Sequence, residues 1–283
     1  MPIDLSVVGK ELPALDYEYT VRDVILYALG VGAGYEDDEL KFVYENGLQV
    51  LPTFGVIPPF PALMGLVNVE GVDINLVMLV HGEQYLEIRK HPIPTQGKLT
   101  SKPKIAAVWD KTKGAVIDLD VETVDESGDV VFFNKFSSFI RGEGGFGGER
   151  GPEPGNEPPD RDPDKVVEMK TLPIQAMIYR LSGDYNPLHI DPNFASMAGF
   201  PKPILHGLCT FGHAGRAVLR EYCGNDPAKF KAIKVRFSRP VWPGDTIVTQ
   251  MWQESEDKII FRCTTKERPE EYCITNAAVW LNV

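Results

Sequence analysis

Two stretches of the first half of the chain return, loosely, in the second. Residues 23–32, DVILYALGVG, lie against residues 175–184, QAMIYRLSGD, and residues 85–99, YLEIRKHPIPTQGKL, against residues 233–247, IKVRFSRPVWPGDTI. Each member of the longer pair reads as strand, Pro-containing bend, Gly turn, strand. Whatever unit such a chain builds, it builds twice. The boundary between the copies is marked: Gly142–Gly151 holds six glycines and Gly151–Asp164 five prolines, a flexible piece followed by a stiff, acidic, extended one. At 283 residues there is room for two units of about 130 residues each. The expected organisation is one unit over residues 1–150, a Pro-rich linker over 151–165 and a second unit over 166–283.

Residues 17–31 carry apolar side chains at Val21, Val24, Ile25, Ala28 and Leu29, which is helical spacing, with Thr20 as N-cap, Asp23 three residues on and a GVGAG stop. Residues 48–66 are apolar but crowded with proline, which predicts an irregular buried path. From Tyr85 to Ile140 four strand-like stretches follow one another between turn signals. After the linker, Pro173–Leu181 is expected to form an amphipathic helix with Ile174, Met177, Ile178 and Leu181 on its apolar face. Ile204–Tyr222 reads as a longer apolar helix, and three strand-like stretches close the chain. Helix and antiparallel strands, twice over, make an α+β pattern.

The formal net charge of −11 argues against a nucleic-acid partner, which needs a basic face, but leaves room for a small anionic ligand. The N-terminus, MPIDLSVVGKELP, lacks the basic-then-apolar plan of a secretory signal. No run approaches the roughly 18 apolar residues of a membrane span, so a soluble chain with no membrane partner is expected. The C-terminus, AAVWLNV, is not an SKL-type peroxisomal address. Cys209, Cys223, Cys263 and Cys273 show no CxxC spacing and are expected as buried free thiols. The glycine cluster does not open a helix, as a phosphate-binding loop would.

The chemistry is concentrated in Tyr179–Gly207, YRLSGDYNPLHIDPNFASMAGFPKPILHG. Asp184, Asn186 and His189 fall within six residues. A buried turn bearing a carboxylate and an imidazole is costly unless both are used. With a water held between them, Asp184 and His189 can divide the work of general base and general acid. Asn186 either fixes that water through its amide or makes an Asx-type turn bond. No nucleophilic Ser or Cys adjoins the pair. His206 reads as structural or close to the substrate, and His213 as a core residue. Asp184, His189, Asp191 and His206 include a His-x-Asp pair, but the third ligand of a metal site is not defined, and no metal is expected. The first half has GVGAGYE where the second has GDYNPLH. One reaction centre per chain is therefore expected.

The segment from Tyr179 to His189, with Ala195 six residues beyond, resembles the hydratase 2 motif of the MaoC-like hot-dog family, and the resemblance covers the whole chain. It implies two hot dogs in tandem, each a curved antiparallel sheet around a central helix, with Ile204–Tyr222 as that helix in the second. The first hot dog would be degenerate and would accommodate the acyl chain; the second would be catalytic. The implied activity is reversible hydration of trans-2-enoyl-CoA to (3R)-3-hydroxyacyl-CoA, with Asp184, His189 and Asn186 at the reacting water and the backbone N–H of Gly207 on the thioester oxygen. A dehydratase of (3R)-hydroxyacyl thioesters on CoA or acyl carrier protein, or an acyl-CoA-binding protein without turnover, are the alternatives. Tyr185, His206, Lys202, Lys234, Arg236 and Arg239 are the candidates for holding substrate and CoA. The resemblance further implies no cofactor beyond the CoA of the substrate, a homodimer of double hot dogs, and a peroxisomal or bacterial cytoplasmic location.

Overall fold

Burial alternates along the strands, as it must where one face of a sheet wraps a core. On the third strand Leu99, Ser101, Pro103 and Ile105 are buried, while Lys98, Lys102 and Lys104 point to solvent. The computed structural model describes residues 3–72, 74 and 78–283. The strands are β1 (Leu15–Tyr19), β2 (Leu79–Ile88), β3 (Gly97–Asp110), β4 (Gly114–Asp125), β5 (Val130–Arg141), β6 (Lys165–Lys170), β7 (Phe230–Phe237), β8 (Thr246–Ser255), β9 (Lys258–Thr265) and β10 (Ile274–Leu281). The helices are α1 (Val21–Gly30), α2 (Pro61–Gly65), α3 (Gln175–Tyr179), α4 (Pro192–Met197) and α5 (Gly207–Cys223).

All ten strands form one antiparallel sheet in the order β1-β3-β4-β5-β2-β7-β10-β9-β8-β6. The second five repeat the first five in reverse, strand for strand, so the internal repeat is a two-fold written into one chain. The halves join edge to edge through β2 and β7, with Glu83 opposite Arg236 and Leu86 opposite Ile233. This pairing removes an exposed edge from each half. The strand–bend–strand repeat seen in sequence is β2–β3 in one half and β7–β8 in the other.

α5 is the central helix, with Phe211, Ala214, Ala217 and Val218 fully buried. It starts three residues later than its apolar run predicts, because His206 is extended (φ −58°, ψ 136°) and serves as N-cap. Where α5 has its counterpart in the first half, the chain runs through a 3-10 turn, Pro52–Val56, and the short α2. This is the irregular path the prolines predict. Phe54 packs edge-on to Tyr27 at 5.6 Å, and Asn134 Nδ2 donates to the Gly55 carbonyl at 3.0 Å. The linker crosses the outer face of the sheet, held by Lys234 Nζ on Pro154 O at 3.0 Å and Asn276 Nδ2 on Gly155 O at 2.8 Å. The glycine cluster does cradle an anion, but an internal one. Asp110 Oδ1 accepts from Gly145 N–H and Oδ2 from Gly147 N–H, each at 2.8 Å.

Two readings are corrected. Tyr17–Tyr19 belong to β1, and the first helix begins at Val21; Asp23 Oδ2 accepts from Thr20 N–H at 2.8 Å across the junction. The second correction concerns α3, which buries Gln175, Ala176 and Tyr179 and leaves Ile174, Met177 and Leu181 about half exposed (51%, 52% and 49%). The reason is docking against α1. Gln175 Nε2 donates to the carbonyls of Leu29 (3.0 Å) and Gly30 (2.7 Å), and Gly30 lies so close to Tyr179 that a Cβ there would sit 3.2 Å from its Cα. A polar side chain satisfying the end of α1 takes the inner face.

The halves are also tied by a buried ion pair. Arg216 on α5 and Glu39 in the first half are 6% and 2% exposed. Arg216 Nε donates to Glu39 Oε1 at 3.1 Å and Nη1 to Val31 O at 2.7 Å, while Glu39 Oε2 accepts from Gly34 N–H at 2.9 Å. His213 is fully buried nearby, as its place in an apolar helix predicts, and all four cysteines are free and buried. No helix of the described residues is long and apolar enough to cross a membrane.

Candidate active site

Asp184 and His189 meet across a turn made of short pieces. α3 tightens into a 3-10 turn, Arg180–Ser182, and Gly183 at φ +130° redirects the chain in a conformation that favours glycine. Asp184 Oδ1 then accepts from Asn186 N–H at 3.2 Å, and Asn186 Oδ1 caps the next 3-10 turn, Pro187–His189, by accepting from Leu188 N–H at 3.0 Å. Asn186 thus spends its carbonyl on an Asx cap. Asp191 caps α4 through Asn193 N–H at 2.8 Å. Ala195 is buried on α4, which carries the chain back toward α5.

His189 Nδ1 lies 2.9 Å from the Ile204 carbonyl. A carbonyl only accepts, so Nδ1 carries the proton and Nε2 keeps its lone pair. Nε2 stands 4.0 Å from Asp184 Oδ2, too long for a direct hydrogen bond and well spaced for one water oxygen bonded to both. Burial raises the Asp184 carboxyl above its ordinary value, against the pull of His189, and burial likewise pushes His189 down. A carboxylate beside a neutral imidazole is the form in which the pair can hold a water. Both are acceptors, so a water between them is gripped by both its hydrogens with its oxygen lone pairs turned away.

Gly207 is the first residue of α5, and its N–H meets no acceptor among the described residues. Orphan N–H groups at a helix N-terminus, with the dipole behind them, suit a developing negative charge. A Cβ on Gly207 would come within 3.3 Å of the Phe237 ring, so a side chain there would crowd the approach to this backbone. His206 is buried; its ring stacks on His189 with centroids 3.7 Å apart and planes at 26°, and lies 4.9 Å from Tyr179.

Asp184, His189 and His206 offer three ligand atoms within 4.8 Å of one another. One nitrogen of each imidazole already faces a backbone carbonyl, that of Ile204 for His189 and that of Asp184 for His206. Asp191, the fourth member weighed from sequence, is spent on its helix cap. Tyr185 is exposed (57%) with the Arg180 guanidinium 4.9 Å over its ring.

None of the four candidate cations makes a polar contact with the turn among the described residues. Lys202 is exposed with its ammonium 5.9 Å from the Trp242 ring centroid, and Arg239 is exposed beyond β7. Lys234, paired with Glu83 at 3.1 Å, and Arg236 line a cavity of about 960 Å³ on the outer face, beneath the linker. Ile204 and Tyr179 take part without having been singled out. Tyr179 stood inside the motif; nothing local marks Ile204, whose carbonyl acts 15 residues away. In the first half Gly32 occupies the place aligned with Asp184. A Cβ there would sit 2.8 Å from His213 Nε2, so packing on α5 leaves no space for a carboxylate.

Residues 17–142 match the family described as MFE-2 hydratase 2 N-terminal domain, and residues 155–272 match the MaoC like domain. The chain belongs to the MaoC-like hydratase 2 family. It is 47% identical over 283 residues to the mouse peroxisomal multifunctional enzyme type 2, covering 97% of this chain and 38% of that protein. It therefore spans little more than a third of that relative's length. It is 44% identical over 274 residues to the probable enoyl-CoA hydratase 2 of Dictyostelium discoideum, covering 94% of this chain and 92% of that one. Among solved structures, a MaoC-like dehydratase from Phytophthora capsici superposes with a TM-score of 0.88 at 37% identity, covering 99% of both chains. The family assignment and the repeated topology agree on a double hot dog.

Proposed function

We propose that the chain hydrates trans-2-enoyl-CoA to (3R)-3-hydroxyacyl-CoA, reversibly, and that Asp184, His189 and Gly207 do the chemistry. The single observation that carries this reading is the 4.0 Å gap between Asp184 Oδ2 and His189 Nε2, which fits a water held by two acceptors. That water's oxygen attacks C3 as the pair takes one of its protons. The electrons of the double bond move toward the thioester carbonyl, whose oxygen charge Gly207 N–H stabilises. The proton taken from water is delivered to C2, and the pair regains its starting protonation. Nothing beyond the CoA of the substrate is needed. The same steps in reverse dehydrate a (3R)-hydroxyacyl thioester, and the Phytophthora relative is described as a dehydratase.

A hydration assay with crotonyl-CoA and longer enoyl-CoA substrates tests the reading. Turnover supports it; binding without turnover would make the chain an acyl-CoA-binding protein. The pH profile follows from the site. Asp184 must be ionised to accept a proton, and burial raises its carboxyl, so kcat/KM should fall on the acid side at a pH above the ordinary aspartate value of about 4. The apparent value belongs to the Asp184–His189 pair. An acid limb at or below the ordinary aspartate value would contradict the assignment.

We further propose that the first half accommodates the acyl chain, because the Leu51–Leu66 path replaces a continuous helix beside α5. Activity confined to C4 substrates would contradict this. A homodimer of double hot dogs is the assembly expected, with the half-exposed apolar row Ile174, Met177 and Leu181 as a face for a second copy. The setting proposed is a peroxisome, the compartment in the mouse relative's name, or a bacterial cytoplasm.

A further inference from the structure

We propose that His206 is a positioning residue that holds the Asp184 turn in register with His189 and with the oxyanion donor at Gly207. The inference rests on the hydration reading given above. Residues 204–207 form a brace in which successive residues have separate tasks. The Ile204 carbonyl fixes the tautomer of His189, Leu205 N–H anchors the brace on Val241 O at 2.7 Å, His206 reaches the Asp184 backbone, and Gly207 opens α5.

The His206 contact decides its role. Nε2 lies 3.2 Å from the Asp184 carbonyl oxygen, 22 residues away in sequence, so Nε2 carries the proton and donates. The ring makes no cap bond to the helix it precedes; it is turned toward the turn instead. One face lies on His189, so a single side chain sets the height of the imidazole and the position of the carboxylate's own backbone. Tyr179 packs against the ring at 4.9 Å between centroids. In this reading His206 acts through the Asp184 backbone and the His189 ring, which it touches. Loss of its N–H should therefore misplace Asp184 without removing any reacting group, and a misplacement of about 1 Å at such a site costs on the order of 10²-fold in rate.

Two substitutions separate the ring from its N–H. His206→Phe keeps bulk and stacking but has no donor, whereas the Nε2 amide of His206→Gln can occupy the donor's place. The expected result is kcat lowered by about 10²-fold in H206F with KM nearly unchanged, the signature of lost transition-state positioning, and recovery of at least about tenfold of that loss in H206Q. Hydrogen exchange at Asn186 N–H, which is bonded to Asp184 Oδ1, reads the same geometry without turnover. It should quicken by about tenfold or more in H206F and stay near wild type in H206Q, since an open turn exchanges freely. Wild-type kcat in H206F, or equal losses in both variants matched by equal falls in Tm, would overturn the proposal. If the wild-type protein hydrates no enoyl-CoA, the functional reading fails, and the exchange measurement still decides the brace: unchanged protection in H206F rejects it.

Discussion

Asp184→Asn is expected to lower kcat by about 10²–10⁴-fold, the usual worth of a positioned acid–base group, while leaving the fold intact. Asparagine has the shape of the carboxylate and still offers an oxygen to Asn186 N–H, which Asp184 Oδ1 now accepts at 3.2 Å. It cannot take a proton from water. KM should change little, because the donor proposed for the thioester oxygen, Gly207 N–H at the start of α5, is untouched. Stability moves in the opposite direction. Burial raises the Asp184 carboxyl, so the folded state binds a proton more readily than the unfolded one, and keeping the carboxylate ionised at pH 7 costs stability. That cost is absent below the unfolded aspartate value and grows as pH rises through the folded one. D184N removes it, so the variant should be at least as stable as wild type at pH 7, with the difference closing as pH falls toward about 4. Near-native turnover in D184N would remove Asp184 from the mechanism.

The largest expected effect on stability lies away from the reacting groups. Glu39→Ala should cost about 3–5 kcal/mol, since it leaves the buried Arg216 guanidinium without its counter-charge. Gly34 N–H loses its acceptor at the same stroke. Urea unfolding should show a lower midpoint with an unchanged slope. Glu39→Gln, which keeps the oxygens' positions for one acceptor, should lose less. Replacing both partners by apolar residues of similar size should recover much of the loss, because the pair's desolvation is removed along with its attraction. A wild-type midpoint in E39A would show that the pair contributes nothing to joining the halves.

Much of this architecture was legible because the repeat is long and the motif compact. The strands missed in sequence are β1 and β6, LDYEY and KVVEMK. Both stand at the outer edges of the sheet, where one side pairs with nothing and charged residues are tolerated; their order comes from β3 and β8, not from their own pattern. The face of α3 was misjudged because an apolar stripe ordinarily turns inward, and here Gln175 is drawn in by the carbonyls of Leu29 and Gly30. The placing of Lys234 and Arg236 was recoverable. Both alternate with the buried Ile233 and Val235 on β7, which puts them on the outer face by period two alone. Asp184 and His189 were legible because they are neighbours in sequence. The Ile204 carbonyl and the His206 ring bind across 15 and 22 residues, and only the folded chain brings them together.

The most direct test is the chirality of the product. Purified protein incubated with a trans-2-enoyl-CoA, followed by chiral analysis of the 3-hydroxyacyl-CoA formed, should give the (3R) product from the wild type and almost none from D184N. A (3S) product, or no hydration with any chain length from C4 to C16, would contradict an (R)-specific hydratase built on the Asp184–His189 turn.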